Sequence, residues 1–343
     1  MAPLVSILIP AFNAGSTIRD TLQSAIRQTW RRKEIIVVND GSRDETGAIA
    51  EAFAPEGVRV VTQSNRGAAA ARNEAFALSS GDYIQWLDAD DLLAPDKIAQ
   101  QVLALGRCSG RTVLSCSWGR FWHRPSRAQF TPTGLWCDLA PLEWLLRKLE
   151  ENAFMPNAAW LVSRRLIEAA GPWDTRLSAD DDGEYFSRVL LASDQACFVP
   201  AAKVLYRMSG SSSLSRIGDS PAKMESQFRS IRLHIEYLRS LQDSVRVRRA
   251  CLQCLQNWLI AFYPERPDLV SAAAELARDL GGELRDPQFS WKYGWLAATC
   301  GPRAAKRSQA ILRSLHSSLS ASWDRAMHAF ERSDDGAQNR RSA

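Results

Sequence analysis

The first ninety or so residues alternate short apolar runs with segments of helical periodicity, and this alternation limits the fold more than any other feature of the chain. The apolar runs, at residues 5–9, 34–38, 58–61 and 83–87, are typical of buried strands. Helices are predicted between them, at residues 16–30, 44–53 and 68–78. Strands that alternate with helices indicate βαβ units, so we expect an α/β fold with a mostly parallel sheet flanked by helices.

Polar residues follow each predicted strand. Pro10, Ala11 and Asn13 come after the first strand, Asp40 after the second and Gly67 after the third. In open α/β sheets, ligands bind in the crevice beyond the carboxyl ends of the strands. The chain has no Gly-rich dinucleotide fingerprint after its first strand and no Gly-Lys-Ser/Thr phosphate loop, which excludes those two modes of nucleotide binding.

Two charged residues at this edge of the sheet have both a ligand-binding and a structural interpretation. Asp40 can accept a hydrogen bond from the ring N–H of a uracil-type base or from a ribose hydroxyl. It can equally form a cap or an Asx-turn before the next helix. Arg72, on the helix after the third strand, can reach a phosphate or can be a solvated helix residue. The residues alone leave both alternatives open.

Three carboxylates follow the fourth predicted strand, at Asp88, Asp90 and Asp91. Side chains two positions apart on a strand point to the same side, so Asp88 and Asp90 can converge on one ligand. One or two carboxylates together with substrate phosphates commonly hold Mg²⁺ or Mn²⁺. The pattern therefore predicts a metal site at Asp90 and Asp88. The alternative is a solvated turn in which Asp88 or Asp91 caps the helix that begins near Pro95.

Several motifs of this region resemble those of the family 2 inverting glycosyltransferases of the GT-A fold. They read VSILIPAFN, IIVVNDGS, NRG, ARN and LDADD, at residues 5–13, 35–42, 65–67, 71–73 and 87–91. The resemblance implies a nucleotide-sugar donor, usually a UDP-sugar, and Mg²⁺ or Mn²⁺ as cofactor. It implies that Asp40 holds the base, that Asp88 faces the ribose or the metal's waters, and that Asp90 ligates the metal. The implied residues for binding the nucleotide-sugar are Pro10, Ala11, Asn13, Asp40, Gly67, Arg72 and Asp88.

A second acidic cluster lies in the other half of the chain, where Asp180, Asp181 and Asp182 precede Arg188. It resembles the family's acidic pair at the start of a helix, with an arginine six residues after the second acid. That spacing assigns Asp182 as the general base and Asp181 as the residue that fixes the acceptor. Three adjacent aspartates leave the register open by one residue. An acidic cluster also favours a helix N-terminus, which is the structural alternative.

We expect three regions in the chain of 343 residues: a catalytic domain at 1–215, a helical region at 216–330 and a disordered tail at 331–343. Residues 135–149, 165–170, 227–241, 245–262 and 271–280 are predicted to be helical. Residues 203–215 resemble the family's Tyr-Arg segment followed by a mobile loop, which predicts a lid over the diphosphate. Charge and low periodicity predict the disordered tail.

The overall composition indicates a cytoplasmic protein. Seven cysteines, an odd number in mostly apolar contexts, are typical of reduced core residues. No leader peptide and no long apolar run is evident. Aromatic residues near position 291 precede a basic segment, which suits either peripheral contact with the inner face of an anionic membrane or a helical subdomain packed on the core. Since no basic stripe on a recognised module is present, we expect no nucleic acid partner.

Two functions of different class are consistent with these residues. The first is a metal-dependent inverting glycosyltransferase that moves a sugar to a hydroxyl of a glycan or lipid-linked acceptor, with Asp182 as the base. The second is a catalytically inactive nucleotide-sugar-binding or scaffold protein of the same fold. Because none of the acids is missing, we favour the enzyme.

Overall fold

A computed structural model describes residues 2–108, 111–208, 220–287 and 291–339. Its strands, in chain order, are β1 Val5–Ala11, β2 Lys33–Asn39, β3 Val58–Thr62, β4 Tyr83–Trp86, β5 Leu92–Leu93, β6 Thr112–Phe121, β7 Gln129–Phe130, β8 Val162–Ser163 and β9 Gln195–Arg207. Its helices are α1 Ile18–Ile26, α2 Thr46–Glu51, α3 Ala68–Ala77, α4 Lys97–Ala104, α5 Pro141–Glu150, α6 Arg164–Ala170, α7 Asp181–Ala192, α8 Pro221–Leu241, α9 Val245–Phe262, α10 Pro267–Asp279, α11 Trp291–Cys300 and α12 Pro302–Asn339.

The first sheet has five strands in the order β3-β2-β1-β4-β8, and this confirms the predicted α/β architecture. The four strands from the N-terminal region are parallel, whereas β8 pairs with β4 in the antiparallel direction. Strand β1 lies at the centre, and its side chains are buried almost without interruption because helices cover both faces. The carboxyl ends of β1, β2 and β4 therefore lie side by side at one edge of the sheet.

A second sheet, in the order β5-β9-β6-β7, is built around the long parallel pair β6 and β9. The short strand β5 joins β9 in the antiparallel direction, with Leu92 opposite Leu205. Because β5 directly follows the acidic stretch after β4, this pairing fixes Asp90 and Asp91 beside the end of β9. The second sheet thus places the acidic stretch after β4 next to the Tyr-Arg segment, which is more than a hundred residues away in sequence.

Helices α8, α9 and α10 belong to the same hydrophobic core as the first sheet. Helix α8 packs on α7, and α9 packs on both α5 and α8. Met224, Phe228 and Ile231 of α8 are buried in the cluster that also contains Ile7 and Trp86 of the sheet. Part of the region that we predicted to be helical, residues 216–330, therefore shares a hydrophobic core with the first sheet.

Several helices begin or end at residues other than those we predicted. Helix α1 begins at Ile18, because Thr17 and not Ser16 occupies the N-cap. Helix α5 begins at Pro141, and the preceding residues instead form an isolated bridge between Leu139 and Ala196. Helix α12 continues to Asn339, and the disorder of the tail from residue 331 stays a prediction. Adding residues to an existing helix costs far less than nucleating a new one.

Two expectations fall on residues that are only partly described. Residues 209–215 of the predicted lid lie outside the described residues, as does Phe289 of the aromatic segment. Within the described ranges, no helix combines the length and the apolar character needed to cross a membrane.

Candidate active site

The loops that follow β1 and β2 are joined by hydrogen bonds, and side chains of the two motifs take part in them. Asn13, whose backbone is left-handed at φ +50°, accepts a hydrogen bond from the Arg43 amide through Oδ1 at 2.9 Å. The amide of Asn13 donates to Ser42 Oγ at 3.0 Å, and the amide of Gly15 donates to Asp44 Oδ2 at 2.9 Å. Asn13 and its neighbours thus shape the rim of the edge, and the exposed position of Asn13 leaves its outer side open to a ligand.

Asp40 is buried at the end of β2, with only 2% of its surface exposed. Its Oδ1 accepts hydrogen bonds from Gln63 Nε2 and the Arg66 amide, and its Oδ2 accepts one from the Gly67 amide at 2.8 Å. The backbone amide of Asp40 donates to Ala11 O at 2.8 Å. Asp40 therefore anchors the loop after β3 to the loop after β1. A carboxylate has about four acceptor positions, so one remains for a donor on a ligand.

Arg72 does not stand free for a phosphate. It is 6% exposed and bridges two carboxylates, with Nη2 at 2.8 Å from Asp88 Oδ1 and Nη1 at 2.7 Å from Asp181 Oδ2. Its guanidinium also lies over the ring of Trp173, 4.4 Å from the centroid. The two carboxylates raise the pKa of Arg72 above its usual value despite its burial. Arg72 therefore links Asp88, which follows β4, to Asp181 of α7.

The three acids after β4 have different environments. Asp88 accepts hydrogen bonds from Arg72 and from Asn157 Nδ2, the latter at 3.0 Å. Burial and the nearby Asp88 carboxylate raise the pKa of Asp90 to about 6. Asp91 is fully buried, and burial raises its pKa well above the usual range, although Oδ1 accepts from the Arg207 amide at 2.8 Å. Neither Asp88 nor Asp91 caps α4, whose N-cap is Asp96, so the capping alternative is not observed.

The carboxylates at this edge of the sheet could hold a divalent cation. Within the described ranges, no other residue donates a hydrogen bond to the Asp90 carboxylate, which lies close enough to Asp88 to be affected by its charge. No group of three or more His, Cys, Asp or Glu side chains that could hold a metal is found among the residues described. One uncommitted carboxylate next to another fits an ion that takes its remaining ligands from a bound diphosphate and water.

The loop that carries these acids is held rigidly. Thr17 Oγ1 and Thr21 Oγ1 donate to Ala89 O at 2.9 and 3.0 Å, and Arg207 Nε donates to Asp90 O at 2.8 Å. A site built on backbone groups that are already hydrogen-bonded needs little reorganisation when a charged ligand binds.

The acids at the start of α7 differ in how their charge is balanced. The Asp181 carboxylate is paired with Arg72. Asp182 is partly buried, and its Oδ1 accepts a hydrogen bond from the Gly183 amide at 2.8 Å. Burial, together with the charges of Asp181 and Asp180, raises the pKa of Asp182 to about 7. Asp180 turns away into the protein, and the positive charge of Lys148 and hydrogen bonds from α8 hold its pKa below the usual value.

Arg188, whose role the sequence left open, is structural. Its Nε lies 2.7 Å from Glu184 Oε1, and its Nη2 donates to Pro172 O at 2.9 Å. Sequence reasoning missed Asn157, which holds Asp88. The residues after Asn157 resemble the start of a strand, but nothing in the local sequence indicates its contact with Asp88, which lies 69 positions away.

Three comparisons with known proteins bear on this site. The model of glycosyl transferase family 2 matches residues 6–168, just under half of the chain. Residues 6–168 form a glycosyltransferase family 2 domain. The match covers β1 to β4 with their acidic loops, Arg72 and Asn157, but it ends before α7 and its acids.

Curated relatives support the same family over a short segment. An uncharacterized glycosyltransferase of Rickettsia typhi is 38% identical over 33% of this chain and 35% of its own length. The glycosyltransferase GlyG of Streptococcus pneumoniae is 37% identical over 29% of this chain and 34% of its own length. The chain therefore spans about a third of the length of these relatives.

Solved structures share the GT-A glycosyltransferase fold over most of the chain. S. aureus TarS 1-349, in complex with UDP-GlcNAc, matches 80% of this chain and 81% of its own with a TM-score of 0.66 at 15% identity. The mannosyltransferase PcManGT of Pyrobaculum calidifontis, in complex with GDP-Man and Mn²⁺, matches 94% of this chain and 88% of its own with a TM-score of 0.52 at 18% identity. At these identities the likeness shows the fold alone.

Proposed function

We propose that this chain is a metal-dependent inverting glycosyltransferase. It moves a sugar from a nucleotide-diphospho-sugar, preferentially a UDP-sugar, to a hydroxyl of a glycan or lipid-linked acceptor. The observation that carries the proposal is the unequal pair of acids at the start of α7. Arg72 neutralises Asp181, whereas Asp182 keeps a carboxylate that binds a proton near neutral pH.

Asp182 acts as the general base. A general base is most effective when its pKa lies near the working pH, because it is then largely ionised and still accepts a proton readily. The pKa of Asp182, about 7, meets this condition, whereas the carboxylate of Asp181 is already engaged in the ion pair with Arg72. Inversion is a single displacement, so one base is sufficient and no covalent intermediate with the protein is required.

Asp90 and Asp88 hold the divalent ion, Mg²⁺ or Mn²⁺. When bound, such an ion neutralises the charge that develops on the departing nucleotide diphosphate. The uncommitted carboxylate of Asp90 supports this role, and Mn²⁺ in the PcManGT complex is consistent with it. Arg72 and Asn157 orient Asp88.

The nucleotide occupies the edge formed by the loops after β1, β2 and β3. Asp40 uses its remaining acceptor position for the base, while Pro10, Ala11, Asn13 and Gly67 line the pocket through the backbone. The TarS complex contains UDP-GlcNAc and the PcManGT complex contains GDP-Man, so both uridine and guanosine donors occur on this fold. Because the amides of Arg66 and Gly67 already occupy acceptor positions of Asp40, the remaining position suits the single ring N–H of uracil, and we therefore expect UDP.

The C-terminal helices provide a surface for peripheral contact with an anionic membrane, where lipid-linked acceptors reside. Leu312, Leu315, Leu319 and Trp323 lie on one side of α12, and each is more than half exposed. Arg303 and Arg307 lie at the beginning of the same helix. An exposed apolar face with basic residues on the opposite side of the helix suits the lipid interface.

A thermal-shift screen tests the donor, and a transfer assay tests the enzyme. UDP-, GDP- and dTDP-sugars are compared with and without Mn²⁺. A true donor at about a hundred times its Kd stabilises the folded protein by about 2.7 kcal/mol, which is a shift of several degrees in Tm. We expect a shift for the UDP-sugar that requires Mn²⁺, together with UDP release when acceptor is supplied. Binding without UDP release from any donor would identify the inactive scaffold instead.

The matched control for this screen is Asp96→Asn, the same substitution six residues beyond Asp90, at the N-cap of α4. It should bind donor as the parent does. Asp90→Asn should lose the part of the shift that depends on Mn²⁺.

A further inference from the structure

Helix α8 presents a polar face to the loop that precedes the acids of α7. Ser226, Ser230 and His234 are spaced four residues apart and so lie on one side of the helix. None of the three is more than 4% exposed. Buried polar side chains are costly unless they are hydrogen-bonded, so a stripe of three indicates a specific partner.

That partner is the segment Ser178 to Asp180. Ser226 Oγ accepts hydrogen bonds from the amides of Ser178 and Ala179 at 2.8 and 2.9 Å. Ser230 Oγ donates to Asp180 Oδ2 at 2.6 Å. His234 Nε2 lies 2.8 Å from the same carboxylate oxygen, where a carboxylate requires the nitrogen to carry the hydrogen.

The backbone at Asp180 makes these contacts necessary. Asp180 is the N-cap of α7 and has a left-handed conformation with φ +54°. Such a conformation is unfavourable for a residue with a side chain and persists only when its surroundings hold it. Asp181 and Asp182 follow immediately in the chain. The orientation of their side chains therefore depends on how firmly Asp180 is held.

The same hydrogen-bond network also contacts α7 on the C-terminal side of Asp182. His234 Nδ1 lies 3.0 Å from Ser187 Oγ, which in turn donates to Gly183 O at 2.7 Å. Lys148 of α5 places Nζ 3.3 Å from His234 Nε2 and 4.0 Å from Asp180 Oδ1. Hydrogen bonds thus fix the chain on both sides of Asp182, at Asp180 and at Gly183.

We propose that Asp180 is a positioning residue for the base Asp182, and that Ser226, Ser230 and His234 of α8 make it one by fixing the first turn of α7. The inference rests on the proposed function for the identity of the base. It makes a helix outside the matched family domain part of the catalytic machinery, although α8 contributes no group that touches the reacting atoms.

The charges around the network give a readout that a purely structural role would not affect. The charged or titratable groups that influence Asp182 are Asp181, Asp180, Lys148, Arg72 and Tyr206. Those that influence His234 are Asp180, Lys148 and Glu184. The charge of Asp180 raises the pKa of Asp182, and the charge of Lys148 lowers it. Removing each charge should therefore move the pKa of Asp182 in opposite directions.

The first measurement follows Asp182 directly and needs no turnover. Protein labelled with ¹³C at aspartate Cγ is titrated by NMR, and Asp182→Asn identifies the resonance. We expect Asp180→Asn to lower the pKa of Asp182 and Lys148→Met to raise it. Ser240→Ala, on an exposed position of the same helix, is the matched control and should leave it unchanged. Unchanged values in both charge variants would overturn the inference.

The second measurement uses substitutions at His234. His234→Gln retains an N–H donor that reaches Asp180, and His234→Leu does not. We expect His234→Leu to lower kcat at least tenfold with the donor KM within twofold, and His234→Gln to retain at least a third of the parent kcat. If His234→Leu does not fold, Ser230→Ala serves in its place, with an expected loss of several-fold. Equal kcat for His234→Leu and the parent would refute the positioning role.

The two measurements separate the inference from the proposed function. Opposite NMR shifts in a protein that transfers no sugar would refute the proposed function and leave the coupling to Asp180 standing. Normal transfer together with unchanged pKa values would refute the positioning role alone.

Discussion

The raised pKa of Asp182 predicts that the substitution Asp182→Asn removes activity and increases stability. In the folded protein the pKa is about 7, and the usual value is 3.8. A difference of about 3 pH units corresponds to about 4 kcal/mol, since each unit is worth about 1.4 kcal/mol. This is the cost of keeping the carboxylate charged in the folded state. Asparagine has no charge to bury, so we expect the variant to be more stable by about 2–4 kcal/mol at pH 8.

The dependence on pH fixes the sign of the effect. Below pH 3.8 the Asp182 carboxyl is protonated in both states and contributes nothing. Between pH 3.8 and about 7 it is ionised only in the unfolded chain, so folding stability falls as the pH rises. Above pH 7 the loss is complete and constant. The stability difference between Asp182→Asn and the parent should therefore grow from pH 4 to pH 7 and then remain level.

The assay is equilibrium urea unfolding of both proteins at pH 4.5, 6 and 8, without nucleotide. Asp181→Asn is the matched control, since it breaks the ion pair with the buried Arg72 and should destabilise the protein. A stability difference between Asp182→Asn and the parent that is the same at pH 4.5 and pH 8 would refute the reasoning. So would an Asp182→Asn variant that keeps its transferase activity, and a larger loss of activity in Asp181→Asn or Asp180→Asn would show that the assignment of the base to Asp182 is wrong.

Other perturbations test the remaining parts of the site. Asp90→Asn should abolish transfer without loss of the fold by circular dichroism, and undiminished activity of that variant in EDTA would contradict the metal role. Arg72→Lys should lower kcat by tenfold or more, because one ammonium cannot bridge both carboxylates as the forked guanidinium does; steady-state kinetics with unchanged kcat would show that the bridge is dispensable. The protein should float with liposomes that contain acidic lipid at low salt, and Leu319→Glu should reduce the floating fraction; protein that stays unbound at low salt would favour packing of the C-terminal helices on the core.

The sequence by itself determined the α/β layout of the first ninety residues. Strands such as β1 and β2 are nearly continuous apolar runs, and their loops begin with residues whose turn chemistry is local. Local patterns of this kind are visible in any single chain, because they depend on neighbours in sequence. For the same reason the positions of Asp40, Asp88 and Asp90 at the carboxyl edge could be predicted from the order of the strands.

The environment of each acid was decided only by the tertiary structure. Asp181 and Asp182 are adjacent in sequence and chemically identical, yet Arg72 from α3 neutralises one and leaves the other with a pKa of about 7. Asp180 is held by Ser230 and His234, about fifty residues later, on a helix that the periodicity described only as amphipathic. A pKa depends on burial and on charges within a few ångströms, and those distances exist only after distant segments have packed together.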